Sequence, residues 1–388
     1  MTTNDQIEPH GNEPKYKQIY NRLRTALARQ EYRAGDKLPS ENELVEQFGA
    51  SRPTVSRALA QLETEGLVER KAGSGTFVRA QESQDGFVFG LLIPDLGTTE
   101  IFEPISRGIS IAGAGGHHDL LWGSTLSSAA SKEDQVAQLC AYYLQRKVSG
   151  IFFAPLELSN RRDETNYRIT QAIDDAQIPI VLLDRDICAY PQRSKYDLVT
   201  IDNRRAGFII ASHVLERGAR RIVFFARPDS APTVAERAIG CYEAIRSCGD
   251  PDAVGFTEFG DPSDVSYVRS LIARHRPDAF VCANDYTAAR LMTSLNALGI
   301  DVPGQIKLTG IDDVRYASLL QTPLTTIHQP CLELGAAALG AMLARIANPG
   351  MAARHYIVDF RLVVRQSTAP LDLSEETDSV RLSDVSQS

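Results

Sequence analysis

Two groups of side chains in this 388-residue chain have the types and spacing of working residues. The first is Arg52, Thr54, Ser56 and Arg57, which face water from a short segment whose Val55, Leu59 and Leu62 recur at helical spacing. Guanidinium and hydroxyl groups presented this way serve phosphate oxygens and base edges. The second is a set of short polar residues at the ends of apolar runs: Asp95, Thr98 and Thr99 after FVFGLLIP, Asp184 and Arg185 after IPIVLL, Asn284 with Asp285 in AFVCAND, and Asp312 with Asp313 in IKLTGIDD. Carboxylates and amides so placed suit a polyhydroxylated ligand, because paired hydroxyls donate to each carboxylate. Each Asp, and Asp202 likewise, could instead simply cap the helix that follows.

Bond-making chemistry finds less support. The chain has no Walker loop, no G-x-S-x-G nucleophile elbow and no H-E-x-x-H pair. Gly113, Gly115 and Gly116 end a helical segment and lack the Lys and Ser/Thr of a phosphate cradle, while the adjacent His117 and His118 do not share a helix face and suit a surface turn. Cys140, Cys188, Cys241, Cys248, Cys282 and Cys331 show no C-x-x-C spacing and read as buried apolar residues in a reducing compartment. No metal and no cofactor is expected. An enzyme, with a DNA-binding head fused to a sugar- or nucleotide-processing α/β domain, is the alternative from another class. A constitutive DNA-binding protein whose second domain only dimerises is a third.

The elements that must position the first group lie between Leu38 and Val78. Ser40 caps a helix, Glu43 answers as its capping-box partner, and Leu44 and Phe48 form the apolar side. Gly49 stops that helix, Ser51 caps the next and Pro53 is tolerated in its first turn. Gly66 closes the second helix, and Leu67 to Val78 supply two strands around Gly73, Ser74 and Gly75. Tyr16 to Gln30, with Ile19, Leu23 and Leu27 on one face, gives a supporting helix. The expected product is a small α+β winged helix-turn-helix, with the second helix entering a DNA major groove. The charge agrees: residues 14–79 hold 12 Lys and Arg against 8 Asp and Glu, while the rest of the chain holds 29 against 41. The basic excess sits where phosphates must be neutralised.

The blocks LPSENEL, SRPTVSRAL, LETEGLV and GSGTFV, in that order, resemble the GntR-type winged helix-turn-helix family over residues 14–79. The resemblance implies that Glu41 and Arg52 touch bases or phosphates, Thr54 a phosphate, and the wing the minor groove. Candidate DNA contacts are therefore Ser40, Glu41, Ser51, Arg52, Thr54, Ser56, Arg57, Lys71, Gly73, Ser74 and Gly75. Two departures stand out: Ser56 followed by Arg57 where the family commonly has arginine, and Ala72 where a polar residue is usual.

Residues 80–86 read as a linker. From Phe87 onward, nine apolar runs from FVFGLLIP to IKLTGID alternate with amphipathic segments such as Lys132 to Arg146 and Arg204 to Arg217, the pattern of buried parallel strands joined by crossover helices. A doubly wound, two-lobed α/β domain with parallel sheets is expected over residues 87–366. One lobe would span Phe87 to about Leu198 and the other Val199 to about Thr326, with the last helix and strand crossing back. The alanine-rich segment Cys331 to Ala347 suits either an internal crossover or a dimer face. Met1 to Glu13 and residues 367–388 are expected to be disordered. No leader opens the chain and no apolar stretch reaches the length of a membrane span, so a soluble cytoplasmic protein is expected.

The pieces LLIPD, IPIVLLDRD, VTIDNRRAG, ERAIG, CANDYTA, LTGIDD, PLTTIHQP, LELG and VVRQSTAP together resemble the LacI-type effector domain, itself similar to periplasmic sugar-binding proteins. The resemblance implies ligand contacts at Asp184, Arg237, Asn284, Asp312 and Gln329. The stacking aromatic that several members carry near Gly260 and Asp261 is not evident, and Phe102, Trp122 or Phe259 could substitute. A GntR-type head replaces the LacI-type head, a combination resembling the arabinose repressor group. The expectation is a ligand-gated transcriptional repressor of carbohydrate use, a homodimer with double-stranded DNA operator and a small sugar as partners.

Overall fold

The computed structural model describes residues 14–28, 31–32, 35–64, 67–71, 74–78, 86–94, 100–123 and 131–368. Met1 to Glu13, Gly66, Ala72, Gly73, most of the expected linker, Asp95, Thr98, Thr99 and everything after Thr368 lie outside them. The chain divides into two compact units between Gly86 and Phe87.

The first unit comprises α1 (Lys15–Ala28), α2 (Glu41–Phe48), α3 (Arg52–Thr64), β1 (Val68–Lys71) and β2 (Gly75–Val78). The capping box forms as expected: the Ser40 amide donates to Glu43 Oε2 at 2.6 Å and the Glu43 amide to Ser40 Oγ at 3.3 Å. Gly49 ends α2 in the left-handed region at φ 53°, a conformation with little steric cost only for glycine. Ser51 differs from expectation. Its carbonyl accepts from the Thr54 and Val55 amides, while its hydroxyl bonds that of Thr54 at 2.7 Å. Ile19, Leu23, Leu38, Leu44, Val55, Leu59, Leu62 and Val68 close one core, and β1 and β2 pair antiparallel from Val68 opposite Val78 to Lys71 opposite Gly75.

The second unit runs, in chain order, through β3 (Val88–Leu92), α4 (Phe102–Gly113), β4 (Asp119–Trp122), α5 (Lys132–Arg146), β5 (Gly150–Phe153), α6 (Arg162–Asp175), β6 (Ile180–Leu183), β7 (Asp197–Thr200), α7 (Asn203–Glu216), β8 (Arg221–Ala226), α8 (Pro232–Ser247), β9 (Val254–Phe259), α9 (Val265–His275), β10 (Ala279–Cys282), α10 (Asp285–Ala297), β11 (Lys307–Asp312), β12 (Thr325–His328), α11 (Cys331–Ala347), β13 (His355–Ile357) and β14 (Arg361–Val363). Two six-stranded sheets result, ordered β13-β7-β6-β5-β3-β4 and β14-β12-β11-β10-β8-β9. The first is parallel throughout, and the second is parallel except for β14 against β12. All nine apolar runs became strands. Every residue of β5, β6 and β10 is buried because helices cover both faces. Each large apolar side chain so enclosed contributes about 1.5–3 kcal/mol.

Four expectations need correction. The lobe boundary falls after β7, because Asp197 to Thr200 pair with β6 and join the first sheet. The return is longer than one helix and one strand. After β12, α11 packs on the first lobe, β13 extends its sheet, and β14 goes back to the second, so the chain crosses three times. The ordered body also continues past 366: Ser367 Oγ donates to the Leu308 carbonyl and accepts from the Thr325 amide, and Thr368 Oγ1 bonds His213 Nε2 at 2.9 Å. Finally, Cys248 is exposed and Cys188 half-buried, since neither faces a core.

Cys331 to Ala347 is an internal crossover. Asp197 takes Arg345 in a two-point ion pair at 2.9 and 3.0 Å, tying α11 to β7. Gly108 of α4 and Gly335 of α11 let these helices meet backbone to backbone, and Gly207 and Gly240 do the same for α7 and α8. A Cβ on Gly335 would lie 2.2 Å from the Ile105 carbonyl oxygen, whereas one on the exposed Gly340 of the same helix would meet nothing within 4 Å. Gly335→Ala should therefore destabilise the domain by about 1–3 kcal/mol through overpacking. Gly340→Ala should stabilise it by up to about 1 kcal/mol through helix propensity. Urea unfolding of both variants checks the pair, and equal effects would contradict this packing.

Candidate functional site

On the first unit, the N-terminal turn of α3 presents Arg52, Thr54 and Ser56 beside the wing. Arg52 Nε donates to Glu41 Oε2 at 3.2 Å, and the Arg52 side chain is 71% exposed. The exposed Arg57 has its guanidinium 4.1 Å over the Tyr16 ring, a cation–π contact that ties α3 to α1. Ser40 and Ser51 are occupied with Glu43 and Thr54, although both remain on the exposed side. Lys71, Ser74 and Gly75 form the tip of the wing with the Lys71 ammonium 5.4 Å over Phe77. Sequence reasoning missed Arg70, whose NH2 group reaches both Glu41 and Ser56.

On the second unit, a cavity of about 210 Å³ opens where the carboxyl ends of both sheets meet, the position at which open parallel sheets bind ligands. Asp184 and Arg185 follow β6, Asn284 follows β10, Asp312 ends β11, and Arg237 projects from α8; all five line it. Their backbones are shaped for the task. Asp184 has φ 68° and Asp312 φ 130°, left-handed values that are costly for a residue with a side chain and that aim each carboxylate off its strand. Arg185 donates to the Pro155 carbonyl at 2.9 Å and pairs with Glu157 at 2.6 Å and Asp184 at 3.5 Å. Arg237 is buried and donates to Asn203 Oδ1 and the Ala283 carbonyl, each at 2.7 Å. Asp184 Oδ1 is buried without a hydrogen-bond partner among the described residues. Asn284 caps α10 through Oδ1, which accepts from Thr287.

Burial dominates the electrostatics. It raises Asp184 above the usual carboxylate range against the opposing pull of Arg185 and Arg237, and raises Asp312 well above it. Glu157 is half-buried; the cost of that burial is the largest single influence on it, but the charge and hydrogen bond of Arg185, the Ala231 amide and the Arg227 charge together exceed it and hold the carboxyl below its ordinary value. Gln329 does not line the cavity. It donates from Nε2 to Asp312 Oδ1 at 2.7 Å and so orients that carboxylate. Trp122 is placed away from the site: it is 51% exposed on β4, the edge strand of its sheet, and does not line the cavity. Phe259 likewise stands exposed on an edge. Phe102 does line the cavity under the Arg185 guanidinium at 5.4 Å, and Tyr286 lines it opposite, with Arg227 at 4.7 Å over its ring.

Residues 15–78 match the model of the bacterial regulatory proteins, gntR family, and residues 211–368 that of the periplasmic binding protein-like domain. The chain is a DNA-binding transcriptional regulator with a GntR-type head and a periplasmic-binding-protein-like second domain. It is 28% identical over 368 residues to the arabinose metabolism transcriptional repressor of Geobacillus stearothermophilus, covering 92% of this chain and 98% of that one. In fold it resembles a LacI family regulator from Enterococcus faecium with bound ribose (TM-score 0.59, 22% identity, 73% of this chain and 99% of that one) and the CelR–cellobiose complex (TM-score 0.60, 22% identity, 81% and 90%). These relatives are regulators, which disfavours the enzymatic alternative.

Sequence reasoning also missed Arg227, which directly follows β8 as Asp184 follows β6 and which the same strand-end rule would have found, and Glu157, which lies four residues beyond β5. The neighbouring carboxylates have structural duties. Asp202 caps α7 through the Arg205 amide, and Asp313 pairs with Arg365 at 2.5 Å and with His328 at 2.8 Å. Asp285 accepts from Thr326 Oγ1 at 2.6 Å and the Val314 amide at 3.0 Å, and burial raises its pKa to about 7. Between about pH 4 and 7 the folded chain thus keeps a proton that the unfolded chain has lost. Stability should fall as pH rises through that window. Asp285→Asn should flatten this fall, which is on the order of a few kcal/mol; urea midpoints at pH 5 and pH 7 check it, and unchanged pH slopes would count against the assignment.

Proposed function

We propose that this regulator is a repressor whose hold on a roughly palindromic operator is controlled by one small uncharged sugar bound between the two lobes. The observation that carries the reading is that Asp184, whose Oδ1 is buried without a hydrogen-bond partner among the described residues, lines a cavity with Asn284, Asp312 and Arg237. An ionised carboxylate in such surroundings needs donors, and adjacent hydroxyls of a sugar supply them. The lining sets Arg185, Arg227, Arg237 and Lys132 against Glu100, Glu157, Asp184 and Asp312, a balance that favours a neutral ligand over a sugar phosphate or sugar acid. The exposed Tyr286 offers apolar ring surface to the C–H side of a sugar. The arabinose repressor relative and the ribose- and cellobiose-bound structures support an aldose as the effector.

In this reading the described ligand contacts are Asp184, Arg185, Arg237, Asn284 and Asp312, with Gln329 as an orienting neighbour. Two copies, acting in the cytoplasm, would place Arg52, Thr54, Ser56 and the wing of each head on adjacent operator half-sites. The lobes already touch across the cleft: the Glu157 carboxylate accepts from the Ala231 amide at 3.1 Å, and the Leu158 amide donates to the Asp229 carbonyl at 2.7 Å. Sugar would change that closure about the three crossovers and shift the spacing of the heads, for which a coupling of about 1–3 kcal/mol suffices.

Arg237→Ala should lower affinity for the cognate aldose at least about tenfold, the cost of losing a charged hydrogen-bonding partner, while leaving DNA bound and unresponsive. Calorimetry against a panel of aldoses, sugar phosphates and nucleosides, run beside operator shift assays, tests this. A normal sugar response in the variant, or tightest binding by a charged ligand, would overturn the reading.

A further inference from the structure

The reading helix departs from its family at Ser56, where arginine is common, and the structure shows what occupies that region instead. Arg70, on the first wing strand, extends its NH2 group to within 3.1 Å of Ser56 Oγ and also pairs with Glu41 Oε1. The other oxygen of the same carboxylate holds Arg52 Nε. One glutamate from α2 therefore bridges a guanidinium from α3 and a guanidinium from the wing. The three side chains differ in exposure: Glu41 is 24% exposed, Arg70 31% and Arg52 71%. The second guanidinium of α3 is committed elsewhere, since Arg57 stacks on Tyr16. Arg70 is further fixed at its backbone, where its amide donates to Glu63 Oε1 at 3.3 Å.

We propose that Arg70 is a specificity-determining positioning residue of the DNA-reading face, acting through Glu41 on Arg52. A guanidinium has five donors in a rigid fork. Using Nε for Glu41 leaves both terminal nitrogens of the largely exposed Arg52 for the two-point contact to guanine O6 and N7. That arrangement is useful only when the fork is held before DNA arrives, because immobilising a long side chain on binding costs affinity. A lone surface carboxylate holds little. Glu41 is held because Arg70, itself anchored on Ser56 and Glu63, fixes its other oxygen. The wing thereby sets the aim of the helix, and the serine is what admits Arg70 to the network. The inference rests on the head being the DNA-binding part and is independent of the effector.

The test uses the full-length chain and a randomised duplex library, selecting bound sequences for wild type, Arg52→Ala, Arg70→Ala, Arg70→Lys and Glu41→Gln. Wild-type selection should yield a motif, and Arg52→Ala should erase preference at one base pair in each half-site. Arg70→Ala and Glu41→Gln should weaken preference at that same base pair by about tenfold or more, the usual weight of a two-point base contact. Binding to mixed-sequence DNA and its salt slope should change by no more than about one phosphate contact. Arg70→Lys keeps the charge without the fork and should fall between. If Arg70→Ala leaves the motif unchanged, loses a different base pair, or weakens all sequences equally, the proposal is overturned. Glu41→Gln, which preserves side-chain shape, decides the matter should Arg70→Ala unfold the head.

Discussion

Burying charge is the constraint on which the second domain depends. Asp184 and the side chain of Arg185 are only 5% and 7% exposed, and Arg237 is 4% exposed. Removing such groups from water costs several kcal/mol apiece unless each finds a partner of good geometry. The structure meets that demand through elements far apart in sequence: Glu157 after β5, the Pro155 carbonyl, Asn203 at the start of α7 and the Ala283 carbonyl after β10. The parallel sheets exist in a form that brings these strand ends together. Among the described residues one oxygen of Asp184 stays unpaired, and in the proposed function that is where a ligand would donate.

The same network spans the two lobes at the cavity. Glu157 belongs to the first lobe and pairs with Arg185 there, yet its carboxylate also accepts the Ala231 amide from the second. Arg185 in turn neighbours Asp184, so a ligand that draws on Asp184 alters the charge balance around the carboxylate that bridges the cleft. Gln329 stands on the crossover between β12 and α11 and holds Asp312, which places one cavity carboxylate directly on a hinge. An effector needs no long relay here, because the groups it would touch are bonded to the latch and to the crossover.

How much of this was legible in the sequence depended on whether a feature has a local signature. The capping box at Ser40 and Glu43, the left-handed stop at Gly49 and the nine strands all follow from short-range rules, and all appear, although β4 and β9 lie at sheet edges and, against expectation, have no buried residue. Asp184, Asn284 and Asp312 could be placed because each directly ends an apolar run. Tyr286, Tyr316, Thr233 and Lys132 reach the cavity from helix starts and loops, and no periodicity announces that. The strands β13 and β14 have three residues each and leave most of them partly exposed, too short for alternation to register. Trp122 illustrates the opposite error: a single tryptophan draws attention by type, but its strand lies on the sheet edge, which is a property of topology. Ser367 and Thr368 look like the start of a hydroxyl-rich tail until the carbonyls and amides awaiting them at Leu308 and Thr325 are seen.

The head illustrates why such a fusion is physically permissible. Its buried cluster draws only on residues between Ile19 and Val78, so the apolar surface it hides is hidden by itself. Its basic excess is likewise its own, within a chain whose net charge is −8. The effector domain in its turn closes both sheets with its own helices and returns its C-terminal strand to its own second sheet. Among the described residues neither unit draws its core from the other, and under the proposed function the demand on the join is geometric: the spacing of two reading helices would respond to closure of two lobes. That requirement places weight on rigid aim within each head. A reading arginine that moved freely on its stem would dissipate any change in spacing, whereas one held by Glu41 converts it into lost register with the bases.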